Sequence, residues 1–347
     1  MQFLSQKAAS LTPYVAGIQP ATSGWVKLNT NENPYPPSPR VADTLGSFDL
    51  SRLRLYPDGD STLLLQALSQ RFGLPVDHIF VGNGSDEVLA FAFSAFFSGK
   101  THVLTPDISY GFYPVWAQMF DVSLTTVPLS DVFAVDPTAY RGANGVVIAN
   151  PNAPTGIALS CDEIEQIVLQ NPHGVVIIDE AYIDFSETAS AVSLVEKYHN
   201  LLVVQTFSKS HALAGLRVGF AFGHPDLIAG LNRVKNAVNS YPLDMLAEQC
   251  AAASLSDVGY FRDTVEKIVH TREHTAGALA TLGYRALPSG ANFLFVRCDR
   301  AGALYEHLRN HNILVRYWDK PRIDAFLRIT IGTLEEMEAL LSCVSQF

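Results

Sequence analysis

Short, unbroken apolar runs punctuate the first two-thirds of the chain, and polar residues follow nearly every one of them. The clearest is residues 175–178 in GVVIIDE, β-branched throughout and ending in Asp179. An unbroken run of that length suits a strand buried on both faces of a parallel sheet, since a half-exposed strand would alternate with polar residues. Comparable runs lie at 78–81, 102–105, 124–129, 146–150, 201–206 and 218–222. Helical patterns at 62–72, 87–98, 111–120 and 161–169 separate several of them. This alternation predicts an α/β fold, with a mostly parallel sheet flanked by helices. Such sheets bind ligands at the carboxyl ends of their strands, so the residues just after each run are the candidates for chemistry.

The pattern changes after Asn239. A long helical region, roughly 243–282, precedes a smaller α+β part with strands expected at 292–297 and 326–331 around a helix at 302–310. Consecutive prolines make 33–39 an extended arm. The expected division is an arm with part of a small domain (1–35), a large domain (36–240) and a small C-terminal domain (241–347).

Three segments carry candidate chemistry. In QTFSKSHALAGLR (205–217), Lys209 stands between Ser208 and Ser210, and Arg217 follows eight residues later. A lysine at the mouth of a buried strand is a candidate nucleophile toward a carbonyl, because its neighbours can lower the amine pKa. Ser208 and Arg217 can hold a phosphate beside it. An amine next to a phosphate cradle suggests pyridoxal phosphate; a cationic surface loop is the competing reading. In the second segment, Asp179 at a strand end could pair with a protonated pyridine nitrogen, and Tyr182 could reach the ring's phenolic oxygen. A helix cap or a magnesium ligand is the plainer role for such an aspartate. In the third, GNGSDE (82–87), a glycine-rich turn opening a helix points N–H groups at an anion, with Ser85 and Asp86 in its first turn. Simple capping explains it too, and Glu87 occupies the third glycine position of a dinucleotide fingerprint.

Taken in order, GNGSDE, NPNAPTG (150–156), DEAY (179–182) and SKSHALAGLR (208–217) resemble the aspartate-aminotransferase-like, fold-type I pyridoxal phosphate enzymes. KLNTNENPYPPSP (27–39), LYPDGD (55–60), SYPLDM (240–245), ANFLFVR (291–297) and LRITIGT (327–333) resemble more closely the histidinol-phosphate aminotransferase family, over essentially the whole chain. The resemblance implies that Lys209 bonds the cofactor and shuttles a proton. Asp179 and Tyr182 would partner the ring nitrogen and phenolic oxygen, Tyr110 would stack on the ring, and Ser85, Asp86, Ser208 and Arg217 would bind the phosphate. Tyr56 would reach the phosphate of a neighbouring subunit, which implies a homodimer with shared sites. Arg328, Arg316 and Tyr14 would contact substrates: histidinol phosphate or imidazole acetol phosphate, and glutamate or 2-oxoglutarate. One departure stands out: where an asparagine is common before PTG, this chain has Ala153, which leaves the phenolic oxygen to Tyr182 or passes the contact to Asn152. Threonine-phosphate decarboxylases and aromatic amino-acid aminotransferases resemble the same motifs. So, remotely, does a cofactor-binding regulator without turnover, though such regulators usually carry an added basic DNA-binding domain, for which neither the length nor the charge of this sequence is expected to leave room.

Composition narrows the classes further. The chain has 347 residues, 48% of them hydrophobic, and a net charge of −10, which argues against a nucleic acid or an anionic membrane as partner. Four scattered cysteines without CxxC spacing, and no charged start leading into an apolar core, predict free thiols in a cytoplasmic protein. Two histidine pairs, His270 with His274 and His307 with His311, share helix faces at i, i+4 spacing. No third ligand is evident in sequence, so both read as solvated faces and no metal is expected.

Overall fold

In the computed structural model, which describes residues 3–99 and 101–347, Val26–Lys27 (β1) is followed by the seven expected apolar strands. These are β2 (Ile79–Gly82), β3 (His102–Pro106), β4 (Ser123–Val127), β5 (Gly145–Ala149), β6 (Val175–Asp179), β7 (Leu201–Thr206) and β8 (Gly219–Gly223). They form one sheet in the order β2-β8-β7-β6-β5-β3-β4. Only β8 runs against its neighbours; the other pairings are parallel.

Both faces of this sheet are covered, as the unbroken apolar runs require. Val146, Ile148, Val176, Ile178, Leu201 and Val203 feed one core. Their alternate neighbours Val147, Ile177, Leu202 and Val204 feed the other. Helices Thr62–Phe72 and Cys161–Gln170 lie where expected, the latter opened by a reciprocal Ser160–Glu163 capping box. The helix expected at 87–98 starts earlier, at Gly84, and passes into a π-turn at Phe93–Phe97. The helix expected at 111–120 is shorter, Tyr113–Met119. The long helical region is two helices, Met245–Ser256 and Val258–Thr281, divided at Asp257, whose carboxylate caps the second. Four helices among the described residues were not expected: the short Gln6–Ser10 and Pro39–Gly46, and Pro225–Val238 and Leu334–Val344, although the last two carry legible starts, Pro225 in the first turn and a Thr333–Glu336 capping box.

A second, antiparallel sheet contains β9 (Arg285–Ala286), β10 (Phe293–Arg297), β12 (Arg316–Tyr317) and β13 (Phe326–Thr330), in the order β12-β13-β10-β9. Between them, β11 (Ile313–Leu314) pairs in parallel with β1 from the start of the chain. Leu28 accordingly packs into the core of Leu294, Val296, Leu327 and Ile329. The chain then passes through the extended prolines, and Ser38 caps helix Pro39–Gly46. Among the described residues no helix is long and apolar enough to cross a membrane.

One close approach sets the spacing between β8 and the glycine-rich turn. The strand runs so near the helix opening at Gly84 that a Cβ on Gly219 would lie 2.2 Å from the Ser85 nitrogen. Backbone cannot yield as a flexible side-chain tip can. Gly219→Ala is therefore expected to cost roughly 1–3 kcal/mol, the range for forced overpacking, read as a lower urea midpoint with an unchanged slope.

Candidate active site

The carboxyl ends of β3, β5, β6 and β7, together with the segment after β1, enclose a cleft of about 980 Å³. Lys209 enters it from the turn after β7. Its Nζ lies 3.4 Å from the Thr30 carbonyl and 5.7 Å from the centre of the Tyr182 ring. The Asn33 amide donates to the carbonyls of both Lys209 and Ser210, at 3.0 and 3.2 Å, and so pins that turn.

Asp179, the last residue of β6, is buried at the floor of the cleft. One carboxylate oxygen accepts a 2.9 Å bond from the Tyr113 hydroxyl, while the other, Oδ1, is buried with no protein partner. Desolvation pushes its pKa up to about 6; the Tyr113 bond, the nearby Ala181 N–H and Lys209 oppose the shift, and nearby Asp86 adds to it. Behind it Glu180 is raised to about 7 by burial, against bonds from Ser190, the Ala191 N–H and Gln205.

At the opposite end, helix Gly84–Ala92 begins without a side-chain cap, so its first N–H groups face the cleft without intrahelical acceptors. Gly84 has φ +81°, and a Cβ there would fall 2.5 Å from Arg217 Nη2. Arg217 itself adopts a left-handed φ of +54°, a conformation that costs of order 1–3 kcal/mol in a non-glycine residue and tends to mark functional sites. Its guanidinium meets Asp86 at 3.2 Å and Ser208 Oγ at 3.4 Å. Asp86 also accepts from the Tyr110 hydroxyl at 2.7 Å. The Tyr110 ring borders the cleft with Tyr14, which is stacked on Phe112 at 4.3 Å.

The far wall is cationic. Arg328, on β13, donates to the Asn29 carbonyl at 2.8 Å, and its guanidinium lies over the Phe293 and Trp318 rings. Its Nε is buried with no partner, and it forms no ion pair among the described residues. Burial lowers its pKa, which is the cost of a charge without a counter-ion. Arg316 lies beside it, bonded to the Val15 carbonyl at 3.2 Å. Six cations and four carboxylates line the cleft, against a chain charge of −10.

Of the expected site residues, Lys209, Asp179, Tyr182, Ser85, Asp86, Tyr110, Ser208, Arg217, Tyr14, Arg316 and Arg328 all line this one cleft. Two do not. Asn152 is turned away and committed: its amide donates to the Ile108 carbonyl and Thr155 Oγ1, and its oxygen accepts from Ser109. Of the two alternatives for the contact missing at Ala153, the one that passes it to Asn152, and with it Asn152 as a site residue, is corrected; Ala153 and Pro154 face the cleft instead. Tyr56 lies outside it, 81% exposed and stacked on Tyr241 at 4.9 Å.

Asn31 was missed in sequence. It is 1% exposed, at φ +54°, and its amide donates to the Tyr182 hydroxyl at 2.9 Å. Every other polar atom of Asn31 is also used: N–H and Oδ1 with Thr330 Oγ1, and the carbonyl with Asn292. The only trace in sequence was the asparagine-rich KLNTNENP, which carries no periodicity.

Against known proteins, the family model for aminotransferase class I and II matches residues 23–344. The chain is 49% identical over 352 residues to the histidinol-phosphate aminotransferase of Acinetobacter baumannii (strain AB307-0294), covering 100% of this chain and 97% of that one. It is 52% identical over 338 residues to histidinol-phosphate aminotransferase 1 of Hydrogenovibrio crunogenus, covering 96% and 95%. The fold matches the Sinorhizobium meliloti histidinol-phosphate aminotransferase, solved in complex with pyridoxal-5'-phosphate. That match has a TM-score of 0.89, covers 100% of this chain and 97% of that one, and comes at 22% identity.

The buried carboxylate has a measurable consequence. Folded Asp179 keeps its proton to about pH 6, against 3.8 for an exposed aspartate. The native state thus binds more protons than the unfolded chain across that window, and stability is lost as pH rises through it. Cofactor-free Asp179→Asn is expected to exceed the cofactor-free parent by roughly 1–3 kcal/mol above about pH 7, with the gap closing below about pH 4. Urea unfolding across that range measures it.

Proposed function

The chain belongs to the class I and II aminotransferases, within the histidinol-phosphate aminotransferase family, and from that footing we propose that it moves an amino group between histidinol phosphate and 2-oxoglutarate with pyridoxal phosphate as cofactor. The observation that carries this reading is the buried, unpartnered Asp179 Oδ1 at the floor of a cleft that also holds Lys209. A carboxylate oxygen left without a donor fits a protonated ring nitrogen.

Pyridoxal phosphate, when bound, supplies an electron sink that lets a carbon-bound proton leave an amine substrate near neutral pH. Lys209 would hold it through its amine and Asp179 at the ring nitrogen. Tyr182 would hold the phenolic oxygen and Tyr110 a ring face. Its phosphate would lie against the first N–H groups of helix Gly84–Ala92, with Ser85, Ser208 and Arg217. Asp86 acts here through its backbone N–H, because its carboxylate is tied to Arg217 and Tyr110.

The chain's own groups then divide the work. The Lys209 amine takes the proton from the substrate's α-carbon and returns one as an acid. The Asp179 carboxylate stays ionised opposite a cation, whose charge offsets the desolvation that raises its pKa. Tyr14, Phe112 and Tyr110 form an aromatic wall that limits water. Arg328, with Arg316, is free to take the phosphate of one substrate and a carboxylate of the other, since both offer planar or forked oxygens. Asn31, in place of the residue lost at Ala153, orients the Tyr182 hydroxyl.

The exposed Tyr56 supports a homodimer. It is stacked on the exposed Tyr241, and Leu50 (73% exposed) and Leu53 are exposed on the turn just before it in the chain; exposed apolar side chains of this kind mark a contact face. Tyr56 would complete the phosphate site of a second copy.

Three measurements test the reading. Adding histidinol phosphate to the cofactor-loaded protein, without a keto acid, is expected to bleach its visible band, and 2-oxoglutarate to restore it. A loaded protein whose spectrum ignores histidinol phosphate refutes the substrate, and Lys209→Ala is expected to lose at least roughly 100-fold in turnover. Asn31→Ala, which removes the donor to Tyr182 and the acceptor for the Thr330 hydroxyl, is expected to lower kcat/KM roughly threefold to tenfold, the worth of one net hydrogen bond at Tyr182. Unchanged kinetics would remove Asn31 from the site.

A further inference from the structure

One of the two histidine pairs gains in the fold what it lacks in sequence. His307 lies near the end of helix Ala301–Asn310 and His311 caps that helix, while Cys343 comes from helix Leu334–Val344. One ring nitrogen of each histidine and the Cys343 sulfur lie within 4.8 Å of one another. We propose that these three side chains form a binding site for a divalent, thiolate-seeking transition metal of the zinc type.

The hydrogen bonds around the cluster support ligation more than solvation. His307 Nε2 lies 3.1 Å from the Cys343 carbonyl oxygen, and His311 Nδ1 lies 2.8 Å from the His307 carbonyl oxygen. A carbonyl only accepts, so each of those nitrogens carries the proton. That leaves His307 Nδ1 and His311 Nε2 with free lone pairs, each ring oriented through its other nitrogen by a backbone carbonyl. Histidines that ligate metals are held in this way. The two rings sit 4.5 Å apart between centres.

The donor set selects the metal. Two imidazoles and a thiolate suit zinc or cobalt, whereas magnesium and calcium require oxygen ligands. Three protein ligands leave one tetrahedral position for water. On binding, the Cys343 S–H bond breaks, its proton goes to solvent and a metal–sulfur bond forms, with no change of oxidation state. None of the three residues lines the cofactor cleft, so the site would clip the last helix to its neighbour without entering the chemistry. The other pair, His270 and His274, is exposed on both members and has no third ligand among the described residues.

The test titrates cobalt into chelator-treated, cofactor-loaded protein and follows difference spectra. The expected result is one equivalent per chain with a thiolate-to-cobalt charge-transfer band that Cys343→Ser abolishes. His311→Gln, at an exposed position where folding is not at stake, is expected to weaken binding by more than the roughly 10–100-fold that loss of an outer-shell partner costs. The double variant His270→Gln, His274→Gln is expected to bind as the parent does, and transamination to be unchanged in all three. Zinc is further expected to shield Cys343 from alkylation. Cobalt held by the cofactor's phosphate would give no thiolate band and would survive every variant. The proposal is overturned by a parent protein without the band, by a band that persists in Cys343→Ser, or by His311→Gln binding as tightly as the parent.

Discussion

A sheet packed on both faces leaves only its ends for chemistry, and that constraint orders the rest of this molecule. Each central strand sends alternate side chains into two separate cores, so a polar group in mid-strand would be buried without a partner. Polar residues therefore collect where the strands stop: Asp179 closes β6, Thr206 closes β7, and Ser208 and Lys209 follow at once. The same packing excludes water from Asp179 on all sides but one, which is why desolvation dominates its proton affinity. A group held this way is primed for a cationic partner before one arrives.

The two arginine sites differ in a way that charge counting hides. Arg217 is already paired with Asp86, which fixes its direction at the expense of its field. Arg328 has a carbonyl, two aromatic faces and the like-charged Arg316 around it, and no carboxylate partner among the described residues. Ring faces attract a cation without neutralising it. Its full charge therefore remains available to an anion, inside a chain whose overall sign would repel one.

Much of this was legible in sequence, for a physical reason. Strands buried on two faces are written as continuous apolar runs, and Val175–Asp179 and Leu201–Thr206 were found to the residue. Site residues that follow those runs were legible for the same reason, since position in the sheet and position in sequence coincide. What was lost depended on long-range pairing. Asn31 acquires its role only through Thr330 and Tyr182, and Cys343 joins His307 only through the packing of two helices. Asn152 was misjudged because sequence adjacency to Ala153 says nothing about which way an amide turns. The helix Pro225–Val238 was a different failure, because its proline start was there to be read.

The bond between Asn31 and Thr330 joins positions 299 residues apart, and this bears on how the protein is made. A ribosome adding about 5–20 residues per second leaves the opening arm waiting roughly 15–60 seconds for its partner strand. During that interval the large sheet can assemble, but Asn31 lacks the Thr330 hydroxyl it is bonded to and Arg328 does not yet exist. The site's arm-to-strand contacts therefore form only after Arg328 and Thr330 have been added. Until then the unpaired arm and the apolar face that will receive Leu28 are the segments most exposed to chaperones.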